Sequence, residues 1–261
     1  MSAPPSRQPA PDGGPAERHL DLEGTTNFRD LGGYATADGN VTRWRRLFRA
    51  DGLGRLTADD RSRLRELGLA TVIDLRTKDE AETRGSFPVD EVPVRYLDLP
   101  LMDVLPQPEE LSSWSESSYV AGRYLHMVTG SSATLATAIA TLAEPGALPA
   151  VVHCSAGKDR TGVVAALVLA FLGVPDPTIV DDYALSAAAM VQMFDRLQAE
   201  YPEAEEAITR FAPAILNVVP DTMEAFLASV RDTYGSYRQL ADTLGLTEAV
   251  KRLRSALLEP A

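Results

Sequence analysis

The stretch His153-Cys154-Ser155-Ala156-Gly157-Lys158-Asp159-Arg160-Thr161-Gly162 constrains this chain more than any other. It follows the apolar residues Ala150-Val151-Val152 and precedes an apolar run from Val163 to Leu172. A short buried strand must therefore hand over, through a glycine-bearing turn, to a buried helix beginning near Thr161 and stopped by Gly173. Cys154 is the sole cysteine of the 261 residues. An arginine stands six positions after it, and the hydroxyl of Thr161 follows. A potential thiolate, a guanidinium and a hydroxyl thus share one tight loop.

Other segments frame that unit. Leu47-Phe48-Arg49, Ala70 to Leu75, and Val94 to Leu99 ended by Pro100 read as strands. Thr57-Ala58-Asp59-Asp60 has the spacing of a capping box, with Leu64 and Leu67 on one face and Gly68 as the stop. Leu135, Ile139 and Leu142 share a helix face. Beyond Pro177 the pattern is helical almost to the end, with starts expected at Thr178, Asp221 and Thr247. Strands alternate with helices early and helices dominate late. That order predicts an α/β fold with a central, mainly parallel sheet flanked by helices and extra helices in the C-terminal third. Residues 103–118, with prolines and a serine cluster, read as an irregular loop able to cover a site. Residues 1–18 are rich in Pro, Ser, Gly and Ala and are expected to be disordered, leaving 19–261 as a single domain.

Charge and composition exclude several classes. A formal net charge of −12 argues against non-specific nucleic-acid binding. No segment approaches the roughly 20 apolar residues of a membrane span, and the N-terminus has no apolar signal core. The expected location is cytoplasmic, with no integral membrane association. A single cysteine cannot form an intramolecular disulfide, so the thiol is free for chemistry. A nucleotide P-loop is excluded, because Asp159 follows Gly157-Lys158 and Val152 stands where the first glycine belongs. One Cys beside one His lacks the paired spacing of a zinc site, so neither metal nor cofactor is expected.

The loop itself favours reactive anion chemistry. A free thiol titrates near about 8.5, and the thiolate is the nucleophile. A helix N-terminus, a returning arginine and successive loop amides all favour a negative charge there. The same groups bind a phosphate dianion. Arg160 can grip two phosphate oxygens with a planar fork. Thr161 can donate to the sulfur. Gly157 allows a backbone closed to other residues. Ser155, Ala156, Gly157, Lys158, Asp159 and Arg160 form the expected phosphate cradle. His153, directly before the cysteine, is expected to brace the loop rather than act as its base.

Taken together, His153 to Gly162 resembles the signature H-C-x-x-G-x-x-R-[ST] of the cysteine-dependent protein tyrosine phosphatase superfamily. Ala156-Gly157-Lys158-Asp159 is similar to an atypical bacterial branch of it. Thr26 to Gly32, Leu47-Phe48-Arg49, Asp74-Leu75-Arg76 and Tyr234-Gly235-Ser236 agree, so the resemblance spans about residues 20 to 258. It implies a metal-free, two-step hydrolysis of phosphate monoesters. Cys154 would form a phosphocysteine, an acid would protonate the leaving group, and a carboxylate would activate water. The implied substrate is a phosphotyrosine protein, with dual or phosphoinositide specificity also open. Similar bacterial phosphatases can be exported without a signal. Nothing in the sequence fixes an oligomeric state.

The proton donor has several candidates. Asp103 lies in a Leu-Pro-x-x-Asp segment comparable to one that carries a proposed acid in that branch. Asp159 can serve as acid or base, or orient its neighbours, and Asp98 ranks below both. Lys158 suits either highly phosphorylated headgroups or general electrostatic support. Arg29, Arg49 and Arg76 fit structural ion pairs with Asp30, Asp51 and Asp74 better than a basic pocket. Tyr119, Tyr124 and Met127 read as a core stripe more than as a lid. A phosphate-binding module without turnover and a sulfur transferase are the competing classes.

Overall fold

Alternating side chains on three central strands divide the core in two. On β3 (Leu47–Ala50), β4 (Thr71–Asp74) and β6 (Ala150–His153), residues Phe48, Val72 and Val151 pack on one face of the sheet. Leu47, Ile73 and Val152 pack on the other. This is the period-two consequence of the pleat. Both faces are covered, as a parallel sheet requires. The structure, a computed structural model, describes residues 18–101, 113 and 116–261.

The main sheet runs β1-β3-β6-β4-β5, with β1 (Arg29–Asp30) antiparallel to β3 and the remaining pairs parallel. β5 (Arg95–Asp98) is the exposed edge. β6 lies in the middle, so the residue after His153 emerges at the C-terminal edge of the sheet, where α/β folds bind ligands. The five-stranded sheet with flanking helices is the fold class the sequence predicts.

Capping chemistry starts the early helices. Thr57 caps α1 (Ala58–Glu66) and Thr77 caps α2 (Lys78–Arg84), each in a reciprocal box with the carboxylate three residues on. Gly68 takes φ +68 just beyond α1, and Gly173 takes φ +89 to end α5 (Asp159–Leu172). α5 begins at Asp159, two residues before the expected Thr161. Leu135, Ile139 and Leu142 are fully buried on α4 (Ser132–Leu142), which follows α3 (Ser117–Gly130).

The helical third contains α6 (Asp176–Ala184), α7 (Ser186–Glu200), α8 (Glu205–Leu216), α9 (Pro220–Tyr234), α10 (Tyr237–Thr243) and α11 (Thr247–Leu257). α6 and α9 start earlier than Thr178 and Asp221. Pro177 and Pro220 lie inside their first turns, where a fixed φ and a missing N–H cost nothing. After α11 the chain forms β7 (Leu258–Pro260), antiparallel to β2 (Asn40–Thr42). Tyr124 and Met127 lie in the core, and Tyr119 packs against it. No helix among the described residues is long and apolar enough to cross a membrane. The expected disorder of residues 1–18 concerns a segment of which all but Arg18 lies outside the described residues, as does most of the 103–118 loop.

Candidate active site

Cys154 is the first residue after β6 and is 2% exposed. The loop then turns through Ser155, Ala156, Gly157 and Lys158 into the N-terminus of α5. Gly157 makes this turn possible. It adopts φ +67, and a Cβ there would lie 2.5 Å from the Ala50 carbonyl oxygen. No other residue fits both conditions.

Arg160, on the first turn of α5, folds back beneath the loop. Its Nη1 and Nη2 donate to the two carboxylate oxygens of Glu80 at 2.5 and 2.7 Å. Nη1 also reaches the Leu75 carbonyl at 3.4 Å. Ser155 Oγ donates to Glu80 Oε1 at 2.5 Å. Glu80 is itself the third helical residue of the Thr77 capping box, so α2 holds it in place. Burial pushes the Glu80 carboxyl up, but Arg160 outweighs that and holds it down at about 2. Burial pushes Arg160 down, and Glu80, Cys154 and Asp159 together lift it above its ordinary value. Of the five guanidinium N–H bonds, these contacts take both on Nη1 and one on Nη2. The Nε–Nη2 edge remains, a side-on fork of the width that a phosphoryl group accepts.

A cysteine loop between a central strand and a buried helix, with an arginine fork left open, matches what the comparisons with known proteins show. The profile described as the tyrosine phosphatase family matches residues 20–259. The chain belongs to that family. It is 32% identical to the triple specificity protein phosphatase PtpB of Mycobacterium tuberculosis, over 91% of this chain and 98% of that protein. It is 30% identical to a putative tyrosine-protein phosphatase of Cupriavidus necator, over 92% of this chain and 85% of the other. A tyrosine-protein phosphatase of Nostoc commune is 33% identical over 52% of this chain and 46% of its own length. The expected bacterial branch is therefore borne out, and the chain is a protein tyrosine phosphatase whose substrates carry phosphate.

Three other predicted residues of the phosphatase loop lie near Arg160. Asp159 is held by Tyr124, whose hydroxyl donates to Asp159 Oδ1 at 2.6 Å and lies 3.0 Å from the Tyr183 hydroxyl. Both phenols are buried, which pushes their pKa values up and keeps them protonated donors. Lys158 is turned inward and nearly buried, with Nζ donating to the Asn217 carbonyl at 3.2 Å and 3.7 Å from Asp159 Oδ1. Thr161 Oγ1 is buried with no hydrogen-bond partner among the described residues, so the expected bond to the sulfur is not formed in this structure. His153 braces the loop, donating from Nδ1 to the Cys154 carbonyl at 3.3 Å. Burial pushes its pKa down to about 4 against the pull of Asp74, which leaves the ring neutral.

The arginine pairs differ in part from expectation. Arg76 is bound by Asp74 at 2.6 Å, as its spacing predicts. Arg29 and Arg49 instead converge on Asp182 of α6, at 3.2 and 2.6 Å. Asp30 accepts from the backbone of Gly32 and Arg45, and Asp51 from Thr26 and Asn27. Loop geometry spends those carboxylates on amides, which leaves the two arginines to a partner far along the chain. Asp98 is exposed on the edge strand β5. Asp103 lies outside the described residues.

Glu80 and Asp182 escape a reading by residue type. The only trace of Glu80 is the Thr77-Lys78-Asp79-Glu80 capping-box spacing after a strand. Nothing in the sequence around Asp182 marks it. Among the described residues no cluster of His, Cys, Asp and Glu could hold a metal ion.

Proposed function

We propose that this phosphatase works through a phosphocysteine and acts on phosphotyrosine proteins, with a second arm of activity toward phosphoinositides. The observation that carries the mechanism is the arrangement of Cys154 and Arg160, with the guanidinium held by Glu80 along one edge and open along another. The Cys154 thiolate attacks phosphorus, forming an S–P bond as the P–O bond to the leaving group breaks. Arg160 and the loop amides of Ser155, Ala156, Gly157, Lys158 and Asp159 carry the equatorial oxygens. Water then attacks the phosphocysteine, the S–P bond breaks, and the thiolate returns. The orphaned Thr161 hydroxyl supplies a donor for the sulfur as it leaves. Asp103 is the proposed acid for the first step. Asp159, oriented by Tyr124, is the proposed base for the second.

Two features support the phosphoinositide arm. A cleft of about 450 Å³ adjoins Ser155 and is lined by Arg55, Arg76, Arg84 and Arg196. Arg76 is paired with Asp74 and Arg55 with Glu200, so Arg84 and Arg196 are the lining cations left for a second phosphate, and Lys158 adds a further cation under the loop. The name of the mycobacterial relative, a triple specificity phosphatase, supports breadth of substrate without naming phosphoinositides.

Cys154→Ser is expected to abolish turnover of an aryl phosphate while leaving the circular dichroism and the unfolding midpoint unchanged. Normal turnover by that variant would sink the mechanism. Wild-type rates on phosphotyrosine peptides, phosphoserine peptides and phosphoinositides decide the breadth. No release of phosphate from phosphoinositides removes the second arm.

A further inference from the structure

A turn that offers its amides to an anion must dispose of its carbonyls elsewhere, because both are obligatory hydrogen-bonding groups. In this loop every carbonyl from Cys154 to Lys158 is engaged from behind. His153 Nδ1 takes Cys154 O at 3.3 Å, and the Gly52 amide takes Ser155 O at 3.1 Å. Asn27 Nδ2 takes Ala156 O at 3.0 Å. Arg49 Nη2 takes Gly157 O at 2.7 Å and Lys158 O at 3.4 Å. The amides of Ser155, Ala156 and Gly157 donate to none of the described residues.

The groups behind the loop are themselves fixed. Arg49 Nη1 is held by Asp182 at 2.6 Å. Asp182 also accepts from Arg29 Nε at 3.2 Å and from the Tyr34 hydroxyl at 2.8 Å. Arg29 in turn donates to Asn27 Oδ1. One buried network, drawn from β1, β3 and α6, therefore ends on three successive loop carbonyls.

We propose that Arg49 and Asn27 are positioning residues of the phosphatase, with Asp182 setting the Arg49 fork. They hold the carbonyls of Ala156, Gly157 and Lys158 outward, so that the amides on the same peptide planes, those of Gly157, Lys158 and Asp159, point the opposite way, toward the phosphoryl oxygens. A peptide flip at any of these positions would give up a charge-assisted or amide bond and turn a carbonyl toward an anion. The inference rests on the reading that this loop receives the phosphoryl group.

The test compares Arg49→Met, Arg49→Lys and Asn27→Ala with the wild type, using inorganic phosphate as competitive inhibitor and a series of aryl phosphates as substrates. Arg49→Met is expected to weaken phosphate inhibition by about 10-fold or more, the equivalent of one lost bond to a charged group. Asn27→Ala should do so by about threefold. Arg49→Lys keeps the charge for Asp182 but cannot grip carboxylate and carbonyls together, so it should resemble Arg49→Met in phosphate inhibition and the wild type in unfolding midpoint. Losses in kcat should be equal across leaving groups, which separates this role from that of the acid. A purely structural role predicts a lower unfolding midpoint with an unchanged inhibition constant, and that result overturns the proposal. Should Arg49→Met fail to fold, Asn27→Ala decides by the same criterion. If the wild type neither turns over aryl phosphates nor binds phosphate, it is the functional reading that fails instead.

Discussion

Two buried carboxylates in this molecule, Glu80 and Asp182, each bind arginine, and they end up with opposite jobs. Glu80 faces one arginine, so the charges balance, and it leaves the Nε–Nη2 edge of Arg160 unspent. Asp182 faces two arginines and a phenol, and its oxygens are saturated by Arg29, Arg49 and Tyr34. The Asp182 cluster is sealed, with side-chain exposures of 0–2%, and Asp182 is held well below the usual carboxylate range. Burial alone would raise it, and the two guanidinium groups prevail. Burial and the neighbouring Arg49 also push Arg29 down to about 10. The comparison teaches that a buried ion pair can offer hydrogen bonds to a ligand only where one edge of the cation is left open. The other cluster holds backbone, with Arg49 donating to the Gly157 and Lys158 carbonyls of the cysteine loop.

Each half of the comparison can be broken separately. The largest effect is expected for Arg160→Lys. It keeps a charge for Glu80 but loses the second edge, so kcat on an aryl phosphate should fall by about 10²–10³-fold with little change in unfolding midpoint. A loss under threefold would mean that Arg160 does not carry the phosphoryl oxygens.

Asp182→Asn should act on stability. Removing the carboxylate leaves two buried guanidinium groups uncompensated, which costs about 3–5 kcal/mol in urea unfolding. A midpoint unchanged at equal m-value would show that Arg29 and Arg49 find other partners. The depressed Asp182 also predicts acid sensitivity. Its stabilisation is complete above the unfolded carboxylate range and is lost as pH falls below that range toward the folded value.

His153 acts at higher pH than Asp182. Its ring is neutral in the folded protein down to about 4, whereas its ordinary value is 6.5. Between these values unfolding takes up a proton, so stability falls as pH drops, by about 3 kcal/mol over the window. His153→Gln should flatten that part of the stability–pH curve. An unaltered slope would place the proton uptake on another group.

The smallest effect is expected for Tyr124→Phe. It removes the donor to Asp159 and should lower kcat by about fivefold and stability by about 1 kcal/mol. Wild-type rates on every substrate would reduce the Tyr124–Asp159 bond to packing.

Much of this was legible in advance because it is local. The strand Ala150–His153 has the same bounds in sequence and structure, and the capping box at Thr57 and the stop at Gly173 fall where residue type and spacing place them. The helices begin at Asp176 and Pro220, ahead of the polar residues Thr178 and Asp221, because proline in a first turn needs no N–H partner and extends the helix upstream of those caps. β1, β2 and β7 are two or three residues long and exist only through pairing with distant chain, so no local pattern announces them. In the candidate site, Cys154, Arg160 and the loop between them are contiguous. The groups that organise them are not: Glu80 is 80 residues from Arg160 and Asp182 is 133 from Arg49.

By itself the sequence determined a cysteine loop between a buried strand and a buried helix, and with it the family and the class of substrate. Spacing along one turn is enough for that, since covalent connection brings Cys154, Gly157 and Arg160 together. Only the tertiary structure decided which carboxylate holds which arginine, and which face of the loop turns inward. Those choices depend on buried charges finding partners across the fold, and a buried cation takes whichever carboxylate packing delivers to it.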